Sequence, residues 1–168
     1  MQSFTYHCPT EIVFGRGAEE AVGEKLRAFG ASRVLVLYGG GSVTASGLLS
    51  RIEKNLTSHG LAFLVMGGIR PNPRVAFVRE AIREGIAANV NFVLAVGGGS
   101  VIDSAKAAAH GIANLSLDIW DIWTHKEEIT QTTPFASVLT IPAAGSETSD
   151  SAVLTDEDTG RKIGLNTP

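Results

Sequence analysis

The chain holds one cysteine, Cys8, in 168 residues. A single thiol cannot close an internal disulfide or build a cysteine-ligated zinc knuckle. Charge is sparse too: charged residues make up 18% of the chain and hydrophobic ones 44%. A disordered chain is charge-rich and apolar-poor, so that class is excluded. There is no basic excess. Seventeen acidic side chains outnumber fourteen basic ones, for a net charge of -3, and the pI is about 5.8. A nucleic-acid binder needs a basic face, so none is expected to bind here. No apolar run approaches the roughly 20 residues that cross a bilayer. The opening Met1-Gln-Ser-Phe-Thr-Tyr-His7 has no basic cluster leading into an apolar stretch, so no signal peptide is read. These absences lead to the expectation of a cytoplasmic, globular protein off the membrane, of a length that suits one domain. Asn55-Leu-Thr57 and Asn114-Leu-Ser116 then read as chance matches to the glycosylation pattern.

What is present alternates. Glu11-Ile-Val-Phe14 is a short strand candidate, and Ala18 to Phe29 an amphipathic helix closed by Gly30. Arg33-Val-Leu-Val-Leu-Tyr38 is a nearly continuous apolar run, as in a parallel strand buried on both faces. A helix follows from Val43 to His59, then a strand at Ala62–Met66. Asn72-Pro73 reads as a helix start, Asn as cap and Pro in the first turn, with the helix running to Ala88. Asn91–Val96 is another buried strand, and Val101–Ile112 the helix behind it. A polar stretch with Trp120 and Trp123 leads to a strand at Ser137–Ile141; the aromatic pair reads as half-buried core closure. Ser151–Pro168 reads as a hairpin turning at Asp156–Gly160. The alternation predicts an α/β fold: a Rossmann-like, mainly parallel sheet flanked by helices, with a β-hairpin near the C-terminus.

In open α/β sheets ligands bind beyond the carboxyl ends of the strands. Two strand ends carry the same four residues, Gly39-Gly-Gly-Ser42 and Gly97-Gly-Gly-Ser100; a third is followed by Pro142-Ala-Ala-Gly-Ser-Glu147. Glycines admit close backbone approach, and a helix N-terminus offers free N–H groups to a phosphate. Neither dinucleotide nor Walker fingerprint is complete, since Ile102 stands where a third glycine belongs and no Gly-Lys-Ser/Thr follows. Gly97–Asp103 is equally a glycine turn with Ser100 as cap and Asp103 as its reciprocal partner. The residues leave both readings open. Asp103 and Lys106, three apart, read as a solvent-exposed ion pair rather than a site. At Gly39–Ser42 no acid is present to accept from a ribose 2′-OH, and a carboxylate would repel a 2′-phosphate. That hints at NADP, although from these residues by themselves a plain βα turn is the better reading. His7, His59, His110 and His125 show no metal-ligand spacing and read as structural or exposed.

Gly97-Gly-Gly-Ser-Val-Ile-Asp-Ser-Ala-Lys106 resembles the GGGSxxDxAK signature of the iron-dependent (group III) alcohol dehydrogenases. Pro9-Thr-Glu-Ile-Val-Phe-Gly-Arg-Gly17, Ile141-Pro-Ala-Ala-Gly-Ser-Glu147 and Thr155-Asp-Glu-Asp-Thr-Gly-Arg-Lys162 are similar to three more of its segments, in order. The repeated GGGS and Asn72-Pro73 after Gly67-Gly68 bring the chain nearest the NADPH-dependent butanol dehydrogenase branch. The resemblance implies that residues 1–168 are an N-terminal dinucleotide-binding domain. It implies that Gly97, Gly98, Gly99, Ser100 and Asp103 meet the pyrophosphate and nicotinamide end of the cofactor. Gly39, Gly40 and Ser42 would surround a 2′-phosphate, and Thr140 and Lys162 would lie along the cofactor. The cofactor would be NADP, with NAD the alternative. The substrate would be an alcohol or aldehyde.

The same resemblance puts the divalent metal, iron or zinc, on an Asp and three His of a C-terminal helical domain that residues 1–168 do not match. The expected chain is therefore the nucleotide-binding half of the enzyme, binding cofactor without turnover. The end at Asn166-Thr-Pro168, inside an unfinished hairpin, is read as truncation. An N-terminal strand edge at residues 4–14 is expected to pair in a homodimer. Two departures stand out: Ala144 where the family usually has Thr, and Ser149 where butanol-type enzymes have Asn. Each removes a hydrogen bond worth about 1 kcal/mol. The competing readings are a non-catalytic nucleotide-binding module, a dimerising fragment, or a relative such as a polyol or glycerol dehydrogenase or a dehydroquinate synthase-like enzyme. Gly39–Ser42 and the Gly-Ser-Glu segment fit the last group less well.

Overall fold

The structure, a computed structural model, describes residues 3, 5 and 8–167. Six helices and six strands follow a 3-10 turn at Ala18–Ala21, counted among the described residues. They are α1 (Val22–Ala28), β1 (Arg33–Tyr38), α2 (Gly41–Ala45), α3 (Leu48–Ser58), β2 (Ala62–Met66), α4 (Val75–Ala87), β3 (Phe92–Gly97), α5 (Gly99–Ala113), α6 (Ile119–Trp123), β4 (Phe135–Leu139), β5 (Ser151–Thr155) and β6 (Lys162–Asn166). A second 3-10 turn covers Ser146–Thr148.

Strands β2-β1-β3-β4 form a parallel sheet, and β5 and β6 pair as the expected hairpin. Every residue of β3, and Val34 to Leu37 of β1, is buried, which is why both read as unbroken apolar runs. Successive side chains alternate between the two faces. Val34, Val36, Leu94 and Val96 pack with Leu26, Ile52 and Leu56 of α1 and α3. Leu35, Leu37, Val93 and Ala95 pack with Ala81 of α4 and Ile102, Ala105 and Ala109 of α5. Helix α5 lies wedged between the sheet and other elements, so nearly all of it is buried. Small residues make that possible. A Cβ on Gly111 would sit 2.1 Å from Ile82 Cδ1 of α4. A third cluster joins Val75, Val78, Ile119, Ile122 and Trp123 to Ala152, Leu154 and Leu165 of the hairpin.

Several expectations change. Glu11–Phe14 forms no strand: the segment is exposed, Phe14 to 98%, because it lies on no strand edge of this chain. Part of the expected 4–14 edge, together with His7, lies outside the described residues. The single helix over 43–59 is two, because Gly47 at φ 71° turns the chain between α2 and α3. Asn72 is not a helix cap. It takes φ 61°, a left-handed conformation that asparagine adopts more readily than most residues. Helix α4 starts only at Val75, after an extended Arg74. Strand β4 is shifted to Phe135–Leu139 by its register with Val93–Gly97. Trp120 and Trp123 sit on a short helix begun by Asp118, which accepts from Trp120 N at 2.9 Å. Trp123 is fully buried and Trp120 partly so.

Candidate functional site

Strand β1 leads to helices on one face of the sheet and β3 to α5 on the other, and β1 and β3 are neighbours. The chain therefore diverges between their carboxyl ends and leaves a crevice. Both Gly-Gly-Gly-Ser loops open onto it. They share one backbone shape: Gly40 has φ -88° and ψ -164°, Gly98 φ -93° and ψ -169°.

The glycines divide by role. A Cβ on Gly97 would lie 2.5 Å from Val101 Cγ2, and one on Gly39 3.3 Å from it, so these two serve packing. A Cβ on Gly40, Gly41, Gly98 or Gly99 would meet nothing within 4 Å. Nothing in the protein fills the space above these four, and a ligand could approach their backbone directly. That open floor is what a dinucleotide cofactor requires, and the residues present fit it.

Helix α5 begins at this floor. Val101 N and Ile102 N both donate to Gly98 O, so the N–H groups of Gly99 and Ser100 precede the helix's own ladder. No side chain caps it. The cap is Gly98, not Ser100 as the capping-box reading expects, and Ser100 O instead accepts from Ser104 Oγ at 2.8 Å. An uncapped N-terminus of a 15-residue helix favours an anion through its dipole, by up to about 1 kcal/mol at an exposed site. Thr140 closes the crevice on the β4 side, its N–H donating to Gly97 O at 3.1 Å. Ser42 is exposed beside its own glycines.

Lys162 stands apart from that group. It lies on β6, and its Nζ donates to Asn72 Oδ1 at 2.8 Å. The intervening loop ties the two regions together: Gly68 N donates to Gly39 O and Thr155 N to Pro73 O. Under the loop is a cavity of about 280 Å³ lined by Ile69, Arg70, Arg74, Phe77, Ser104 and Glu157, among others. Arg74 pairs with Glu157 at 3.0 Å across its rim. Asn72 is a residue that sequence reading missed as part of this region. Its Asn-Pro pair signals a turn, but nothing local reveals the partner 90 positions away.

Asp103 and Lys106 are not an exposed ion pair. Lys106 is 3% exposed. Its Nζ donates to Ser146 O, Ser149 O and Ser151 O at 2.7, 2.8 and 2.8 Å. Asp103 Oδ1 accepts from Ser146 Oγ at 2.6 Å, and Oδ2 from Val153 N at 3.2 Å. Burial pushes the Lys106 ammonium below the usual lysine range, opposed by the charges of Asp103, Asp150 and Glu147. The i, i+3 spacing suggested a solvent pair only because the covering turn is remote in sequence.

Among the described residues no group of three or more His, Cys, Asp and Glu side chains could hold a metal ion. The residues present do not fit a metal. No helix among them is long and apolar enough to cross a membrane.

The comparisons agree with this geometry. The family model for iron-containing alcohol dehydrogenase matches residues 9–168. A probable NADH-dependent butanol dehydrogenase of Bacillus subtilis is 43% identical over 168 residues, covering all of this chain and 43% of that protein. The NADPH-dependent aldehyde reductase YqhD of Escherichia coli is 41% identical over 166 residues, covering 96% of this chain and 41% of that one. The crystal structure of NADH-dependent butanol dehydrogenase A from Thermotoga maritima superposes with a TM-score of 0.96 at 42% identity, over 99% of this chain and 42% of that one. The chain thus spans less than half the length of these relatives. With its parallel sheet, twin glycine loops and signature helix all matched over nearly its whole length, this chain belongs to the iron-containing alcohol dehydrogenase family.

Proposed function

We propose that residues 1–168 are the dinucleotide-binding domain of an oxidoreductase that interconverts an alcohol and an aldehyde with NADP(H), and that the chain binds cofactor without turning over substrate by itself. The observation that carries the reading is the open floor at Gly40, Gly41, Gly98 and Gly99, where a Cβ would meet no protein atom.

The residues act as binders and positioners. Gly99 and Ser100 present backbone N–H groups to the pyrophosphate at the start of α5, with Gly98 leaving the approach open and Gly97 packed beneath them. These donors are held by the strand–helix turn before any ligand arrives, so binding costs little ordering. Gly39, Gly40 and Ser42 surround the adenosine ribose, with Ser42 offering a hydroxyl and no carboxylate opposing a 2′-phosphate. Thr140 and Lys162 lie along the cofactor, Lys162 with Asn72. Asp103 has both carboxylate oxygens engaged by protein. A nicotinamide cofactor, when bound, supplies or takes up the hydride that interconverts aldehyde and alcohol.

The test is a fluorescence titration with NADPH and NADH, without added metal, followed by addition of butyraldehyde. Saturable binding of NADPH at least tenfold tighter than NADH, about 1.4 kcal/mol, with no oxidation of NADPH, is the expected outcome. Equal affinities would remove the NADP assignment, and turnover would remove the claim that the chain is inactive. The relatives do not decide between the nucleotides, since a butanol dehydrogenase described as NADH-dependent, at 43% identity, and a reductase described as NADPH-dependent, at 41%, both match.

A homodimer forms part of the same proposal. Ile12 and Phe14, exposed to 66% and 98%, leave apolar surface open to solvent, and such surface seeks a partner. Sedimentation equilibrium is expected to give twice the chain mass. A monomer at tens of micromolar would refute it.

A further inference from the structure

The two charged residues of the signature helix point away from the open floor and into the turn that follows β4. An ammonium has three N–H bonds, and Lys106 spends them on three backbone carbonyls, those of Ser146, Ser149 and Ser151. The hydroxyls of Ser146 and Ser149 lie farther out, at 3.3 and 3.4 Å. Five oxygens thus surround one buried cation, an arrangement that stabilises its charged form. Asp103, one turn earlier on α5, takes the Ser146 hydroxyl and the Val153 N–H. Carbonyls only accept, so Lys106 stays protonated. It cannot take a proton from Ser146, and a Ser-Lys nucleophile is excluded.

The held turn also meets the hairpin, where Thr167 N donates to Asp150 O at 3.0 Å, but the loop before it is exposed. Residues 140–144 are exposed, Ile141 to 65%. One end of that loop is tied by Thr140 N to Gly97 O. The other passes through Gly145, at φ 71°, into the Ser146–Thr148 turn. Both anchors belong to the β3–α5 unit that also builds the glycine floor.

We propose that Asp103 and Lys106 are positioning residues and not cofactor ligands: they pin the 146–151 turn to α5 and so hold the Thr140–Ala144 loop over the crevice. The assignment rests on reading the crevice as the cofactor site. Lys106 does here what a bound monovalent cation does in other loops, gathering carbonyls that would otherwise repel one another. The signature spacing follows. Positions 103 and 106 fall on one face of the helix, facing the turn, while the N–H groups of Gly99 and Ser100 remain free for an anion.

The test has two arms on the 168-residue chain. Hydrogen–deuterium exchange of the cofactor-free protein reads the clasp directly. Lys106→Ala is expected to raise exchange at residues 142–151 at least tenfold while β1 and β3 stay protected, and millimolar propylammonium is expected to restore much of the protection. Titration with NADPH and NADH reads the consequence: a roughly tenfold loss of affinity, recovered with the same amine. Should Lys106→Ala fail to fold, Ser146→Ala removes the Asp103 contact and the longer Lys106–hydroxyl contact while keeping the three carbonyl contacts, and is expected to loosen the same residues severalfold. Unchanged exchange at 142–151 would overturn the clasp. Loosened exchange with undiminished cofactor affinity would overturn the positioning role. Loss of affinity with the turn still protected would make Lys106 a ligand and refute the proposal. Failure of the unsubstituted chain to bind either nucleotide would instead count against the cofactor site, with the exchange arm still deciding whether the clasp exists.

Discussion

Gly98→Val is expected to leave the protein folded while weakening NADPH and NADH binding at least a hundredfold, about 2.7 kcal/mol. Gly98 has φ -93° and ψ -169°, an extended conformation open to any residue. A Cβ there meets nothing within 4 Å. The fold loses only the difference between glycine and valine at a helix cap, on the order of 1 kcal/mol. The isopropyl group, however, fills the space through which a pyrophosphate must reach the N–H groups of Gly99 and Ser100. The neighbouring glycine is the control. Gly97→Val would drive its side chain into Val101, 2.5 Å from the position of the new Cβ, and is expected to destabilise the protein itself. Thermal unfolding and fluorescence titration of both variants separate the roles. Full cofactor affinity in folded Gly98→Val would show that the cofactor does not lie on the glycine floor.

The second large effect is acid sensitivity. His110 is 5% exposed on α5. Its Nδ1 lies 2.8 Å from Thr132 Oγ1, its Nε2 3.4 Å from Thr167 Oγ1, and its ring tilts against Trp123 at 6.2 Å. Burial, with a smaller contribution from the Lys106 charge one turn away, pushes its pKa down to about 4. The unfolded chain titrates near the ordinary value of 6.5. Between those values the unfolded state binds a proton that the folded state refuses, so stability rises with pH across the window. The contribution is complete above about 6.5 and is lost as pH falls toward 4, by about 3 kcal/mol in all. Asp118, held below its usual range first by its hydrogen bond to Arg79, titrates lower and leaves this window clear. Urea unfolding between pH 7 and pH 4 should show the fall, and His110→Gln should flatten it. An equal slope in the variant would place the acid sensitivity elsewhere.

Much of the architecture was legible from local sequence. Arg33–Tyr38 and the 92–97 run are apolar at every position or nearly so, which only a strand covered on both faces tolerates. The glycines closing each run mark where the chain must leave the sheet. The hairpin was legible for the same reason, with Asp156-Glu-Asp-Thr-Gly160 supplying its turn. These are statements about neighbours in sequence, and burial of a two-sided strand follows from its composition.

Other features depended on partners that neighbours do not reveal. Glu11–Phe14 has strand composition, but a strand needs a partner, and among the described residues no strand pairs with it. Asn72-Pro73 has the composition of a helix start, yet Asn72 takes a left-handed turn and meets Lys162 on the hairpin. The same holds within the signature helix, where glycines and charges part company. The amino-acid sequence by itself determined the parallel sheet, the two glycine loops at its carboxyl edge and the family. Only the tertiary structure decided which glycines are open to a ligand and which are filled by Val101. It also turned an apparent surface pair, Asp103 and Lys106, into a buried clasp. The physical reason is distance along the chain. Strand and helix propensity are set by adjacent residues, whereas the solvation of a charge on α5 is set by a turn some 40 residues later that folds over it.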